Sequence, residues 1–141
     1  MSEIQVLSRS AVANDVQVST DNGEAPPKVL VVDDDPAVIR MVSLSLITDG
    51  FDVSTAGDGL QGLERLEAQS FDVIVLDLQM PRMDGRAFFR EMRSRGYETP
   101  VVILSAYGAD VARSELKANG AFSKPFDPDD LSAVVRRLIK A

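Results

Sequence analysis

The 141-residue chain reads as an α/β protein with a doubly wound, five-stranded parallel sheet. Three observations point there. Short apolar runs rich in β-branched residues alternate with segments of helical spacing, the pattern of a layered α/β domain. The runs are continuously apolar, as strands covered on both faces are. The segments between them carry helix punctuation, such as Asp35-Pro36, Asp84-Gly85 and Asp127-Pro128. Right-handed crossovers then place helices on both faces of the sheet.

Residues 1–27 are polar and irregular, and close on Glu24-Ala25-Pro26-Pro27. Two consecutive prolines stop any regular element, so this stretch is read as a flexible tail and residues 28–141 as the folded domain. Lys28 to Val32 predicts the first strand. Residues 36–48 follow with Val38, Ile39, Val42, Leu46 and Ile47 at helical spacing and Gly50 as a stop. Phe51 to Thr55 predicts a second, more polar strand, and residues 58–68 a helix carrying Leu60, Leu63 and Leu66. The third strand is Phe71 to Leu76, and the next helix spans 84–95. Pro100 to Leu104 is the fourth strand. Residues 108–118 form a weaker helix ending at Asn119-Gly120, a pair that tolerates left-handed geometry. Ala121-Phe122 is a short fifth strand. Asp127-Pro128-Asp129-Asp130 opens the last helix, with Asp as cap, Pro in the first turn and acids at the positive end of the dipole.

Composition removes several functions. Cys and His are both absent, which excludes disulfides, thiolate nucleophiles, serine–histidine triads and imidazole-ligated zinc. The formal charge of −7 offers no basic face for nucleic acid. No apolar stretch approaches the ~20 residues of a membrane span, and no secretory signal is visible, so a cytoplasmic location is the expectation. The remaining chemistry must use carboxylates, hydroxyls, lysine or backbone.

In a parallel α/β sheet, ligands bind beyond the carboxyl ends of the strands. Asp33-Asp34-Asp35 ends the first strand, Asp77 the third, Ser105 the fourth, and Lys124 follows the fifth. Polar strand ends are common, and Asp35 before Pro36 is read simply as a helix cap. Carboxylates ending two strands with a lysine opposite call for more. Crowded carboxylates repel unless a cation neutralises them, and Mg²⁺ suits such oxygens. Lys124 and Ser105 could then hold oxygens of a phosphoryl group, with Asp77 as the nucleophile.

The residues Val31-Val32-Asp33-Asp34-Asp35-Pro36, Val73 to Leu76 with Asp77-Leu78-Gln79-Met80-Pro81-Arg82-Met83-Asp84-Gly85, Val102-Ile103-Leu104-Ser105-Ala106 and Ser123-Lys124-Pro125-Phe126 occur in this order. On them the chain resembles the receiver domain of bacterial two-component response regulators over residues 28–140. The resemblance implies a flavodoxin-like sheet of strand order 2-1-3-4-5. It implies phosphorylation of Asp77 by a sensor histidine kinase or a histidine phosphotransfer protein. Asp33, Asp34, Asp77 and the Gln79 backbone carbonyl would hold Mg²⁺, with Ser105 and Lys124 on the phosphate. Gln79 and Tyr107 would flank it, and Lys124–Pro125 would be cis. An unknown downstream protein would read the signal, and phosphorylation could drive homodimerisation.

The chain also departs from that pattern. Counted from Gly120-Ala121, the approach to Lys124 is about three residues short, roughly 10 Å of extended chain, so a shortened fourth helix and fifth strand are expected. The family's switch aromatic stands three positions before the lysine, whereas Phe122 stands two before it. One residue of offset turns a side chain to the opposite face, so Phe122 is read as core. Because the last helix runs to the end at Ala141, a stand-alone phosphoacceptor switch is expected, not a turnover enzyme. A dehalogenase-type phosphatase would also use Asp-x-Asp, but Pro36-Ala37 and the lack of length for a cap domain speak against it. A receiver shape working without phosphate is the third reading.

Overall fold

The computed structural model describes residues 25–140, so the stretch read as a tail, residues 1–27, lies outside the described residues except for its last three. In chain order the elements are β1 (Lys28–Val32), α1 (Pro36–Thr48), β2 (Asp52–Ala56), α2 (Gly59–Ala68) and β3 (Val73–Asp77). Then come α3 (Gly85–Ser94), β4 (Val101–Ser105), α4 (Ala109–Leu116), β5 (Gly120–Ser123) and α5 (Pro128–Lys140). The strands form one parallel sheet ordered β2-β1-β3-β4-β5. This is the flavodoxin-like order the resemblance implied. Among the described residues no helix is long and apolar enough to cross a membrane.

Strand alternation divides the core in two. Leu30, Val32, Ile74, Leu76, Val101 and Ile103 pack with residues of α2, α3 and α4, including Leu63, Phe88, Met92 and Ala112. Val29, Val31, Val73, Val75, Val102 and Leu104 pack instead with Val42 and Leu46 of α1 and Leu131 and Val135 of α5. Side chains such as Leu30, Ile74 and Leu76 are fully buried, each worth roughly 1.5–3 kcal/mol of transfer free energy. Both faces of every central strand are therefore occupied, which explains their unbroken apolar runs.

Caps set where the helices begin. Asp35, Asp58 and Asp84 each accept a backbone N–H in the first turn, from Ala37, Gln61 and Ala87. Asp127 accepts from the Asp129 N–H at 2.9 Å, in keeping with its expected role. Two helical positions read as inward-facing lie outward: Ile47 is 49% and Leu60 50% exposed. Each sits at the edge of an apolar stripe too narrow to cover it.

α4 and β5 are the shortest helix and strand of the described residues, at 8 and 4 residues, as expected. The helix does not end at Asn119-Gly120, however. Lys117 takes the left-handed conformation at φ 59°, and the Ala118 N–H bonds the Arg113 carbonyl at 3.0 Å. Asn119 has another task, since its side-chain oxygen accepts the Val101 N–H at 3.0 Å. Phe122 packs in the layer with α1 and α5, tilted against Phe126 at 6.0 Å, while Ala121 faces the other layer. Core packing is thus the role of Phe122, and the position three before Lys124 holds an alanine.

Candidate functional site

Sheet register aligns the strand ends. Val32 pairs with Leu76, Asp77 with Leu104 and Ser105 with Ser123, so the residues just beyond come together at one edge. Asp33 leaves β1 with its N–H on the Ala56 carbonyl at 3.1 Å, and Lys124 leaves β5 with its N–H on the Ser105 carbonyl at 2.9 Å. Gly85 lets α3 start against β3. A Cβ there would meet the Asp77 carbonyl oxygen and stand 2.6 Å from the Leu78 Cα, closer than real atoms approach. The Gly85 N–H bonds the Leu78 carbonyl at 3.0 Å.

Asp33, Asp34 and Asp77 each place one carboxylate oxygen within 4.8 Å of the others. Asp33 and Asp77 are buried, whereas Asp34 is exposed. Lys124 Nζ lies 3.2 Å from Asp33 Oδ2 and 3.3 Å from Asp77 Oδ1. The Lys124–Pro125 peptide is cis. Burial, followed by the Asp33 charge, pushes the Asp77 carboxyl up to about 6, although Lys124 and the Gln79 N–H pull it back. Burial draws the Lys124 ammonium down, but the charges of Asp33 and Asp77 outweigh it and leave its pKa raised. One ammonium thus leaves the acids under-compensated. Oxygen-only donors with surplus negative charge fit a hard divalent cation such as Mg²⁺.

Ser105 stands apart from this cluster. Asp77 continues the Val73–Val75 row toward α1 and α5, while Ser105 continues the Val101–Ile103 row on the other face. Its hydroxyl donates to the Tyr107 carbonyl at 2.6 Å. The Gln79 side chain bridges the same corner: Nε2 donates to Ser105 Oγ at 3.1 Å, and Oε1 accepts the Ala106 N–H at 3.1 Å. The Gln79 N–H reaches Asp77 Oδ1 at 3.3 Å, so this residue joins the two clusters. The Tyr107 ring is 80% exposed.

Two features were missed from sequence. The Gln79 carboxamide, expected only to flank the phosphate, is bonded to Ser105 and Ala106. The buried Asp58 carboxylate pairs with the largely exposed Arg82, whose Nη2 lies 2.6 Å from Asp58 Oδ2 while its backbone sits at φ 63°. The pair clips the loop before α2 to the loop after β3. The expected helix over 58–68 began at Asp58, which the structure shows as its cap; nothing local announced Arg82 as a partner.

The chain matches the Response regulator receiver domain family over residues 29–136. It is 36% identical over 116 residues to the regulatory protein AtoC of Escherichia coli, covering 80% of this chain and 25% of that protein. It is 33% identical over 116 residues to PhoP of Bacillus subtilis, an alkaline phosphatase synthesis transcriptional regulatory protein, covering 80% of this chain and 48% of that one. The chain thus spans a quarter to about half of these relatives. The structure of the Francisella response regulator 1452 receiver domain superposes with a TM-score of 0.76 at 34% identity, covering 81% of this chain and 97% of that one. On the family match, the sheet order and the acidic cluster at its edge, the chain belongs to the response regulator receiver domain family.

Proposed function

We propose that the protein is a phosphoacceptor switch in which Asp77 takes a phosphoryl group from a phosphohistidine on a sensor kinase or histidine phosphotransfer protein. The observation that carries this reading is the buried Asp77 carboxylate beside two further acids, with Lys124 Nζ 3.3 Å from its Oδ1. In the transfer, an Asp77 oxygen forms the new O–P bond as the P–N bond breaks. The imidazole departs with the bonding electron pair and takes a proton from solvent. Lys124 stays charged and follows the oxygen it already touches, holding the added negative charge at the acceptor. Asp33, Asp34, Asp77 and the Gln79 carbonyl would hold Mg²⁺, which when bound supplies charge neutralisation for the phosphoryl oxygens. Ser105 donates to a phosphoryl oxygen once its hydroxyl turns from the Tyr107 carbonyl.

The product is an altered protein, not a released one, so the switch reads out through contact with another protein or by passing the group on. The chain's formal charge of −7 favours protein partners over nucleic acid. Cytoplasmic residence and self-association on phosphorylation belong to the same proposal. Sedimentation with and without phosphodonor checks the last of these.

Incubation with acetyl phosphate and Mg²⁺, followed by intact mass, tests the reading. One added phosphoryl group is expected, lost on mild base as an acyl phosphate is, and absent in Asp77→Asn. No Mg²⁺-dependent modification of the wild type, or equal modification of Asp77→Asn, overturns it.

A further inference from the structure

The Ser105–Ala106 corner has a complete set of hydrogen bonds before any phosphoryl group arrives. The single Ser105 proton is committed to the Tyr107 carbonyl at 2.6 Å, which leaves Oγ as an acceptor. Into it come the Tyr107 N–H at 3.2 Å and the Gln79 Nε2 at 3.1 Å. On the other side of the same carboxamide, Oε1 takes the Ala106 N–H at 3.1 Å. The amide fits in this orientation only, because the flipped one would set its NH₂ against the Ala106 N–H.

Phosphoryl oxygens accept hydrogen bonds and donate none. The cation on one side of Asp77 is Lys124, already shared between two carboxylates. On the other side stand the Ala106 N–H, held by Gln79 Oε1, and the Ser105 hydroxyl, whose proton is on the Tyr107 carbonyl and whose Oγ accepts from Gln79 Nε2. An amide oxygen on the Ala106 N–H does there what a phosphoryl oxygen would do. We infer that the Gln79 carboxamide is an internal ligand of the Ser105–Ala106 corner, which a phosphoryl group on Asp77 must evict to complete its own hydrogen bonds. This rests on the phosphoacceptor reading of Asp77 and adds a competing group to it.

Eviction has a direction. Gln79 follows Asp77 in the loop after β3, and the corner it leaves is the start of the loop that enters α4. That helix begins at Gly108 with a left-handed backbone and no side-chain cap, so the released Ala106–Tyr107 segment is lightly held from its far side. The position three before Lys124 is Ala121, too small to respond by swinging a ring. The Gln79 exchange therefore couples Asp77 to α4 through backbone hydrogen bonds.

The test compares wild type with Gln79→Met, which keeps side-chain length but makes neither amide bond. Gln79 is at the surface, so the variant is expected to fold. Beryllofluoride with Mg²⁺ serves as the phosphoryl mimic, titrated by amide NMR. In the wild type, the Gln79 side-chain NH₂ signals should move to the values of a free carboxamide on saturation. In Gln79→Met, the Ala106 amide should shift before any mimic is added, and half-saturation should fall roughly 3- to 10-fold. Equal or weaker binding by Gln79→Met, or Gln79 NH₂ signals unmoved in saturated wild type, overturns the inference while leaving Asp77 as acceptor. No binding of the mimic by wild type overturns the acceptor reading and the inference with it.

Discussion

Asp77 and Asp58 are both buried carboxylates, and their surroundings push them in opposite directions. Burial and the Asp33 charge raise Asp77 from 3.8 to about 6, so the metal-free folded state binds a proton there more tightly than the unfolded chain does. Its contribution to stability is fully present below pH 3.8 and lost as pH rises through about 6. Above that, the charged Asp77 is a cost that Asp77→Asn removes. In EDTA at pH 7.5 this variant should be more stable than wild type by roughly 1–3 kcal/mol in urea unfolding. The gain should vanish by pH 4, where the native carboxyl is already neutral; a gain independent of pH would contradict the assignment. Asp58 is lowered by the Gln61 N–H and by Arg82, so its contribution stands above 3.8 and fades as pH falls. Asp58→Asn keeps a cap and leaves the largely exposed Arg82 to solvent, and should cost about 0.5–1 kcal/mol at pH 7.5 and less at pH 3. A loss of the same size at both pH values would assign the cost to packing instead.

Elements were legible from sequence where a single face or run decided them. β1, β3 and β4 were read correctly because their apolar runs are unbroken, and Asp33, Asp77 and Ser105 stood out because each is the first polar position to follow such a run. What failed was the end of α4. Asn119-Gly120 has the chemistry of a helix stop, but Asn119 is engaged by the Val101 N–H, a partner 18 positions away in sequence. The left-handed residue is instead Lys117, which carries no sequence signal for it. The Gln79–Ser105 and Asp58–Arg82 contacts were illegible for the same reason, being joined across 26 and 24 positions. Lys117 at φ 59° makes the cap testable. A side chain there costs about 1 kcal/mol relative to glycine, so Lys117→Gly should raise the urea midpoint by a corresponding amount without changing the slope. Destabilisation on this change would mean that α4 ends elsewhere.

At the scale of the whole molecule, the −7 charge and the three-acid cluster predict two separable responses to added salt. Any electrolyte screens general self-repulsion, because the Debye length shrinks to about 10 Å at 0.1 M. Only a divalent cation that fits Asp33, Asp34 and Asp77 binds the folded state and not the unfolded one. Mass action then adds about 2.7 kcal/mol when Mg²⁺ stands at a hundred times its dissociation constant. Lys124 touches Asp33 Oδ2 and Asp77 Oδ1 and partly offsets the same negative charge, so Lys124→Ala should keep the Mg²⁺ response or enlarge it. Protons compete as well. With Asp77 titrating at about 6, the Mg²⁺ gain should be large at pH 7.5 and small at pH 5. The measurement is the urea midpoint with MgCl₂ against NaCl of equal ionic strength, for wild type, Asp77→Asn and Lys124→Ala. A cation site at the sheet edge requires a Mg²⁺ excess that Asp77→Asn loses and Lys124→Ala retains. If NaCl reproduces the whole shift, the acids act only as part of the general surface charge and the metal-assisted reading of the site fails.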